Sequence, residues 1–284
     1  MLKEIADVID SYNENGRYAD YWFVDGICSL YVNKKGLNKY LKAVFTSGLT
    51  LKKRGSNYSP IFKTLSVGLD ENPTPRYEEL LEGQYVYFNN MKRSAMTLHE
   101  LEHIEQERMY DDPEYTFEHK LVKLSNYYYM YPPFRDSRDL SPLDRLVGSF
   151  KGRQADRYYY RHHDRSPVER LANIKSLELT EKIMEKVSSR GFEEAHDEFA
   201  GFAFDRFNKY ATAGYVLIGD RTNSPSYDFL KGIKEIKEDV HKDEFEEVSR
   251  TLPLREKVLY GLSLSRDEFH NIDSINPFTK VIKR

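Results

Sequence analysis

Apolar and polar residues recur at helical spacing in some stretches and at strand spacing in others, and the two patterns divide the chain into elements. Residues 2–13 (LKEIADVIDSYN) place apolar side chains on one helical face, so a short amphipathic helix opens the chain. Two β-rich runs follow, Tyr21-Trp22-Phe23-Val24 and Ile27-Cys28-Ser29-Leu30-Tyr31-Val32, with Asp25-Gly26 between them. Asp-Gly so flanked predicts a hairpin, because a type I′ turn needs positive φ at both central positions. The pattern then predicts a helix over 35–46, a strand over 61–69 and a proline-bearing loop over 71–76. Gln84–Phe88 reads as a strand and Asn89-Asn90 as a turn. Lys92–Tyr110, which contains neither Gly nor Pro, reads as a helix.

Beyond the turn at Asp111-Asp112-Pro113 the pattern is predominantly helical. One helix is expected over 114–129, stopped by Pro132-Pro133. Ser141-Pro142 and Ser166-Pro167 each pair a cap residue with Pro at the first helical position, opening helices to about His163 and Ser189; Gly191 stops the second. Residues 192–209 form another amphipathic stretch, and 213–219 (AGYVLIG) fit either a buried helix or a strand. Residues 226–250 and 254–270 read as charged helices, with a loose tail after Ile272. The expected class is α+β, with a small mixed or antiparallel sheet in an N-terminal lobe (1–90) and a mostly helical second half. Residues 1–190 are expected to form one domain, with 191–284 as a helical C-terminal region.

Composition narrows the setting. The 284 residues carry 43 Lys+Arg against 46 Asp+Glu, a net charge of −3, so the whole molecule has no bulk attraction to nucleic acid or to an anionic membrane. Hydrophobic content is only 39%, but 22 Tyr and 16 Phe supply large packing units with polar tips. No apolar run approaches the length of a membrane span, and the N-terminus lacks the apolar core of a signal peptide. The lone Cys28 lies in an apolar stretch and reads as a buried core thiol, which fits a cytoplasmic setting and excludes a thiolate cluster for zinc.

The chemistry concentrates in Met96–Gln106, MTLHELEHIEQ, where His99, Glu100 and His103 are spaced H-E-x-x-H. On a helix, residues four apart share a face, so two imidazoles can bind one Zn²⁺ while the intervening Glu serves as base for a metal-bound water. Leu98, Leu101 and Ile104 would hold the helix by a neighbouring apolar stripe. The plain alternative is a surface helix rich in His and Glu that binds nothing.

This motif resembles that of the zincin metallopeptidases. Gln106 and Met109 stand where the metzincin pattern would place Gly and a third His, so that branch does not fit. The gluzincin branch takes its third ligand from a Glu on a later helix, and Glu169-Arg170-Leu171-Ala172-Asn173 resembles the Glu-x-x-Ala-Asn element of the ImmA-type peptidases of phages and mobile elements. The resemblance covers these two short motifs. It implies Glu169 as third zinc ligand, Glu100 as general base, Asn173 as the residue orienting one histidine, and a protein or peptide substrate.

Other readings of the same residues stay open. Ser166-x-x-Glu169 also fits a capping box, in which Glu169 would bond the N-cap amide instead of a metal. His119, His162, His163, Asp164 and Glu178 are further third-ligand candidates, and Tyr127–Tyr129, Tyr131 and Tyr158–Tyr160 are candidate oxyanion donors. The segment Lys151–Arg165 carries five basic and two acidic residues with three Tyr, a composition that can grip phosphates and stack bases. The acidic overall balance argues against a nucleic-acid partner. An inactive zincin-fold protein with a structural or regulatory role, and a hydrolase of non-peptide amides, complete the alternatives.

Overall fold

Phe23, Val24, Ile27, Cys28, Tyr31 and Val32 are all buried, a spacing of three to four residues that belongs to one helix and not to two strands. In the computed structural model, which describes residues 1–47, 56–69, 82–111, 167–219, 251–260 and 264–282, Tyr21–Lys35 is a single helix. The expected hairpin is therefore absent. Asp20 caps this helix by accepting from the Phe23 N–H at 3.0 Å, and Gly36 ends it with φ 66°. Asp25-Gly26 falls inside, where Gly26 faces the preceding helix and a Cβ would lie 3.9 Å from Val8 Cγ1. That is ordinary contact, so Gly26→Ala should stabilise the fold by about 0.5–1 kcal/mol through helix propensity. Urea denaturation checks this; a hairpin glycine would give destabilisation.

The described elements run α1 (Leu2–Glu14), α2 (Tyr21–Lys35), β1 (Ala43–Ser47), β2 (Asn57–Ser59), β3 (Thr64–Gly68), α3 (Glu82–Asp111), α4 (Pro167–Met184) and α5 (Glu193–Gly219). Two short helices at Leu254–Tyr260 and Arg266–His270, a 3₁₀ turn at Ile272–Ile275 and a last turn at Thr279–Ile282 follow. The class is α+β, mostly helical with one small sheet. No described helix is long and apolar enough to cross a membrane. The chain divides into two compact units, one of residues 1–113, 172–207 and 276–284, the other of 114–171 and 208–275.

In the first unit the sheet is mixed, with strand order β1-β3-β2. β1 runs parallel to β3 with Ala43 opposite Thr64, and β2 runs antiparallel with Asn57 opposite Ser66. The strand expected over 61–69 is thus confined to 64–68, because 60–63 turn the chain from β2. Leu65 and Val67 are buried while their neighbours are half-exposed, the alternation of a one-sided strand. Residues 35–46, expected as a helix, instead carry the end of α2, a turn and β1.

α3 contains 30 residues and is the strut of this unit. It packs against α1, α2, β2 and β3. Its first turns, Gln84–Phe88, were expected as a strand because Tyr, Val and Phe favour sheets; they are helical because Val86, Tyr87 and Phe88 are all buried in tertiary packing. Asn89-Asn90 is not a turn either. Asn90 is fully buried mid-helix, where its Oδ1 accepts from the Ala19 N–H at 2.7 Å and its Nδ2 donates to Asn13 Oδ1 and the Arg17 carbonyl, both at 2.9 Å. The residue that reads locally as a turn former instead satisfies the backbone linking α1 to α2. Arg93, also buried, donates to the Gly68 carbonyl at the end of β3.

α5 closes over the start of α3. Tyr87 stacks on Phe192 with ring centroids 5.1 Å apart, and Phe88 meets Phe199 and Phe202 edge-on. Gln84 bridges both ends of the connection, donating to the Gly191 carbonyl and accepting from the Ala195 N–H, each at 3.0 Å. The ambiguous stretch 213–219 is helical, as the continuation of α5. In the second unit, Ser265 and Glu268 form a capping box and Lys257 bonds Glu268 at 2.8 Å. The expected elements over 71–76, 114–129, 141–163 and 226–250 lie outside the described residues.

Candidate metal centre

Leu98, Leu101 and Ile104 are fully buried, so α3 is held by its apolar stripe on that side, and the two histidines emerge beside it half-buried. One turn apart, the His99 and His103 rings stand edge to face, centroids 4.8 Å apart and planes at 88°. Their Nε2 atoms are 3.2 Å apart. Two nitrogens bound to one tetrahedral zinc at 2.0–2.1 Å would lie about 3.3 Å apart. The imidazoles therefore already stand at a metal-chelating separation.

Gln106 supports this pose. Its Oε1 lies 2.8 Å from His103 Nδ1, three residues back on the same helix. An amide oxygen only accepts, so the bond assigns the His103 proton to Nδ1 and leaves the Nε2 lone pair facing His99.

Glu169 completes the group. It lies in the first turn of α4, a continuous helix whose body packs through Ala172, Ile174, Leu177, Thr180, Ile183 and Met184. One donor atom each from His99, His103 and Glu169 lies within 4.8 Å of the other two, and all three residues are half-buried. Among the described residues this is the one cluster of His, Cys, Asp and Glu with metal-holding geometry. Its donor chemistry, two imidazoles and a carboxylate with no thiolate, suits a catalytic zinc that keeps a fourth position for water. Buried Arg170 bonds the Val258 carbonyl, fixing the turn that carries Glu169.

The other candidates fare differently. Asn173 is half-buried one turn after Glu169, but its side chain makes no hydrogen bond to either histidine; the bond observed at that position comes from Gln106. The i,i+3 spacing of His103 and Gln106 was the available signal. Glu178 sits nine residues beyond Glu169, about 13 Å further along the helix axis, and does not join the cluster. His119, His162, His163, Asp164, the tyrosines at 127–129, 131 and 158–160, the basic segment 151–165 and the proposed cap Ser166 lie outside the described residues.

Glu100 is 4% exposed, set on α3 between the two histidines and about 100° round from His99. Two more buried acids line the face toward α2. Glu102 accepts from the Tyr31 hydroxyl at 2.6 Å, and burial raises its carboxyl above the usual range against the opposing pull of Lys175, the Tyr31 bond and Lys35. Glu105 pairs with Lys35 at 2.7 Å and Arg108 at 2.9 Å. Cys28 is buried in α2, and its thiol is pushed well up by burial, so it is a packing residue and not a thiolate ligand.

Comparison of the chain with models of protein families, with curated proteins and with solved structures gives no match. The functional reading therefore stands on the residues and their geometry.

Proposed function

We propose that the chain is a zinc-dependent peptidase of zincin type, with His99, His103 and Glu169 as metal ligands and Glu100 as general base. The observation that supports it most is the convergence of three donor atoms from two separate helices within 4.8 Å. H-E-x-x-H alone fixes only the two histidines; the carboxylate arrives from residues 66 positions later in the chain.

Zinc, when bound, supplies the Lewis acid that polarises a carbonyl and brings water's pKa down to about 7. The chain's own contribution is placement and proton transfer. α3 holds the two Nε2 atoms at chelating distance, and α4 brings in the Glu169 carboxylate. The Glu100 carboxylate takes a proton from water as the water oxygen bonds to the scissile carbonyl carbon. It returns that proton to the amide nitrogen as the C–N bond breaks, giving one carboxylic acid and one amine. All three proposed ligand residues are half-buried. A protein or peptide substrate follows from the resemblance to H-E-x-x-H peptidases, and the buried single thiol is compatible with a reducing compartment such as the cytoplasm.

Metal analysis tests this directly. The purified chain should carry about one zinc, and both His103→Ala and Glu169→Ala should lose it. Zinc lost from His103→Ala but kept by Glu169→Ala would move the third ligand elsewhere; zinc kept by both would remove the centre altogether.

A further inference from the structure

We infer that Gln106 is the positioning residue of this centre: its amide oxygen holds the His103 proton on Nδ1 and so turns the Nε2 lone pair toward His99 and Glu169. The inference deepens the zinc reading above and rests on it for its functional meaning. Three observations carry it. The Gln106 Oε1 to His103 Nδ1 distance is 2.8 Å, short enough for a well-formed hydrogen bond. Gln106 is 3% exposed, so packing rather than solvent selects its rotamer. It sits one turn beyond His103 on the rigid, internally packed part of α3, so the bond forms without ordering a loop.

The consequence reaches the second histidine. A neutral imidazole carries one N–H, and on His103 the Gln106 oxygen claims it. With His103 Nε2 as an acceptor, the 3.2 Å contact between the Nε2 atoms fits a hydrogen bond donated by His99 Nε2–H in the metal-free chain. Two half-buried rings are thereby held at chelating separation before metal arrives. Coordination through both Nε2 atoms would require the His99 proton on Nδ1, an exchange between neutral tautomers.

Two measurements test this. In metal-free wild type, long-range imidazole ¹⁵N correlation should show His103 as the Nδ1–H tautomer and His99 as Nε2–H, with His99 switching to Nδ1–H on addition of zinc chloride. His103 found as Nε2–H would overturn the inference, and this reading needs no variant to fold. Zinc affinity, measured by chelator competition, should fall about 10–100-fold in Gln106→Leu, which removes the acceptor. Gln106→Glu, which restores it, should recover wild-type affinity or exceed it. Gln106→Leu binding zinc as tightly as a zinc-binding wild type overturns the positioning role alone. A wild type that binds no zinc overturns the metal reading and this role with it.

Discussion

Glu100→Gln should keep its zinc and lose peptide hydrolysis by about 10²–10⁴-fold, the usual contribution of a positioned general base. The substitution replaces one carboxylate oxygen by an amide nitrogen at nearly constant volume, which matters because Glu100 is 4% exposed and closely packed. An amide cannot accept the proton that the attacking water must give up, so the loss belongs in kcat. The proposed ligands His99, His103 and Glu169 are untouched, so metal content should stay at the wild-type level. Cleavage of a mixed peptide library, followed by mass spectrometry on samples of known zinc content, reads both quantities together. Activity surviving in the zinc-loaded variant would refute the role of Glu100. A zinc-loaded wild type that cleaves nothing would favour the inactive, structural reading of the same centre.

The largest effect on stability should come from a residue outside the candidate metal centre. Asn90→Leu removes three hydrogen bonds at once, to the Ala19 N–H, the Asn13 side chain and the Arg17 carbonyl. Asn13 and Ala19 are themselves buried, so their polar groups would lose partners with little access to water. Leaving a buried donor or acceptor unsatisfied costs about 1–3 kcal/mol, and the sum here, with partial relaxation, should reach about 2–4 kcal/mol. Urea denaturation followed by circular dichroism measures it. A loss below about 0.5 kcal/mol would mean that water replaces the side chain and that the α1–α2 connection is held by other contacts.

Asn90 also shows why local signals misread part of this fold. Asn-Asn marks turns when its side chains bond their own backbone, but here the partners are 71 to 77 residues away. Asp25-Gly26 failed for a similar reason: it lies within a helix whose buried face packs against α1 and α3, which is tertiary information. The correction was nevertheless present in the chain. Asp20 as cap, Gly36 as stop and six buried positions at helical spacing all describe α2, and they outweigh one dipeptide. The β-favouring run Gln84–Phe88 is helical because burial on several sides, not propensity, decides its state.

At the site, the His99–His103 face was legible because it depends only on the pitch of one helix. The proximity of Glu169 was suggested by a resemblance and could not follow from spacing, since two helices must meet to create it. Gln106 was visible as a residue three positions from His103, but only the rotamers show that its oxygen meets Nδ1 and that Asn173 makes no such bond.

Since the helix that carries both imidazoles is also the member on which α1, α2 and two strands lean, chemistry and architecture share one component. In the proposed centre, His99 and His103 could not shift toward different substrates without loosening the first unit around them. On the proposed peptidase reading, selectivity would instead be set by whatever borders the open coordination position, leaving the two imidazoles as the least adjustable part of the site.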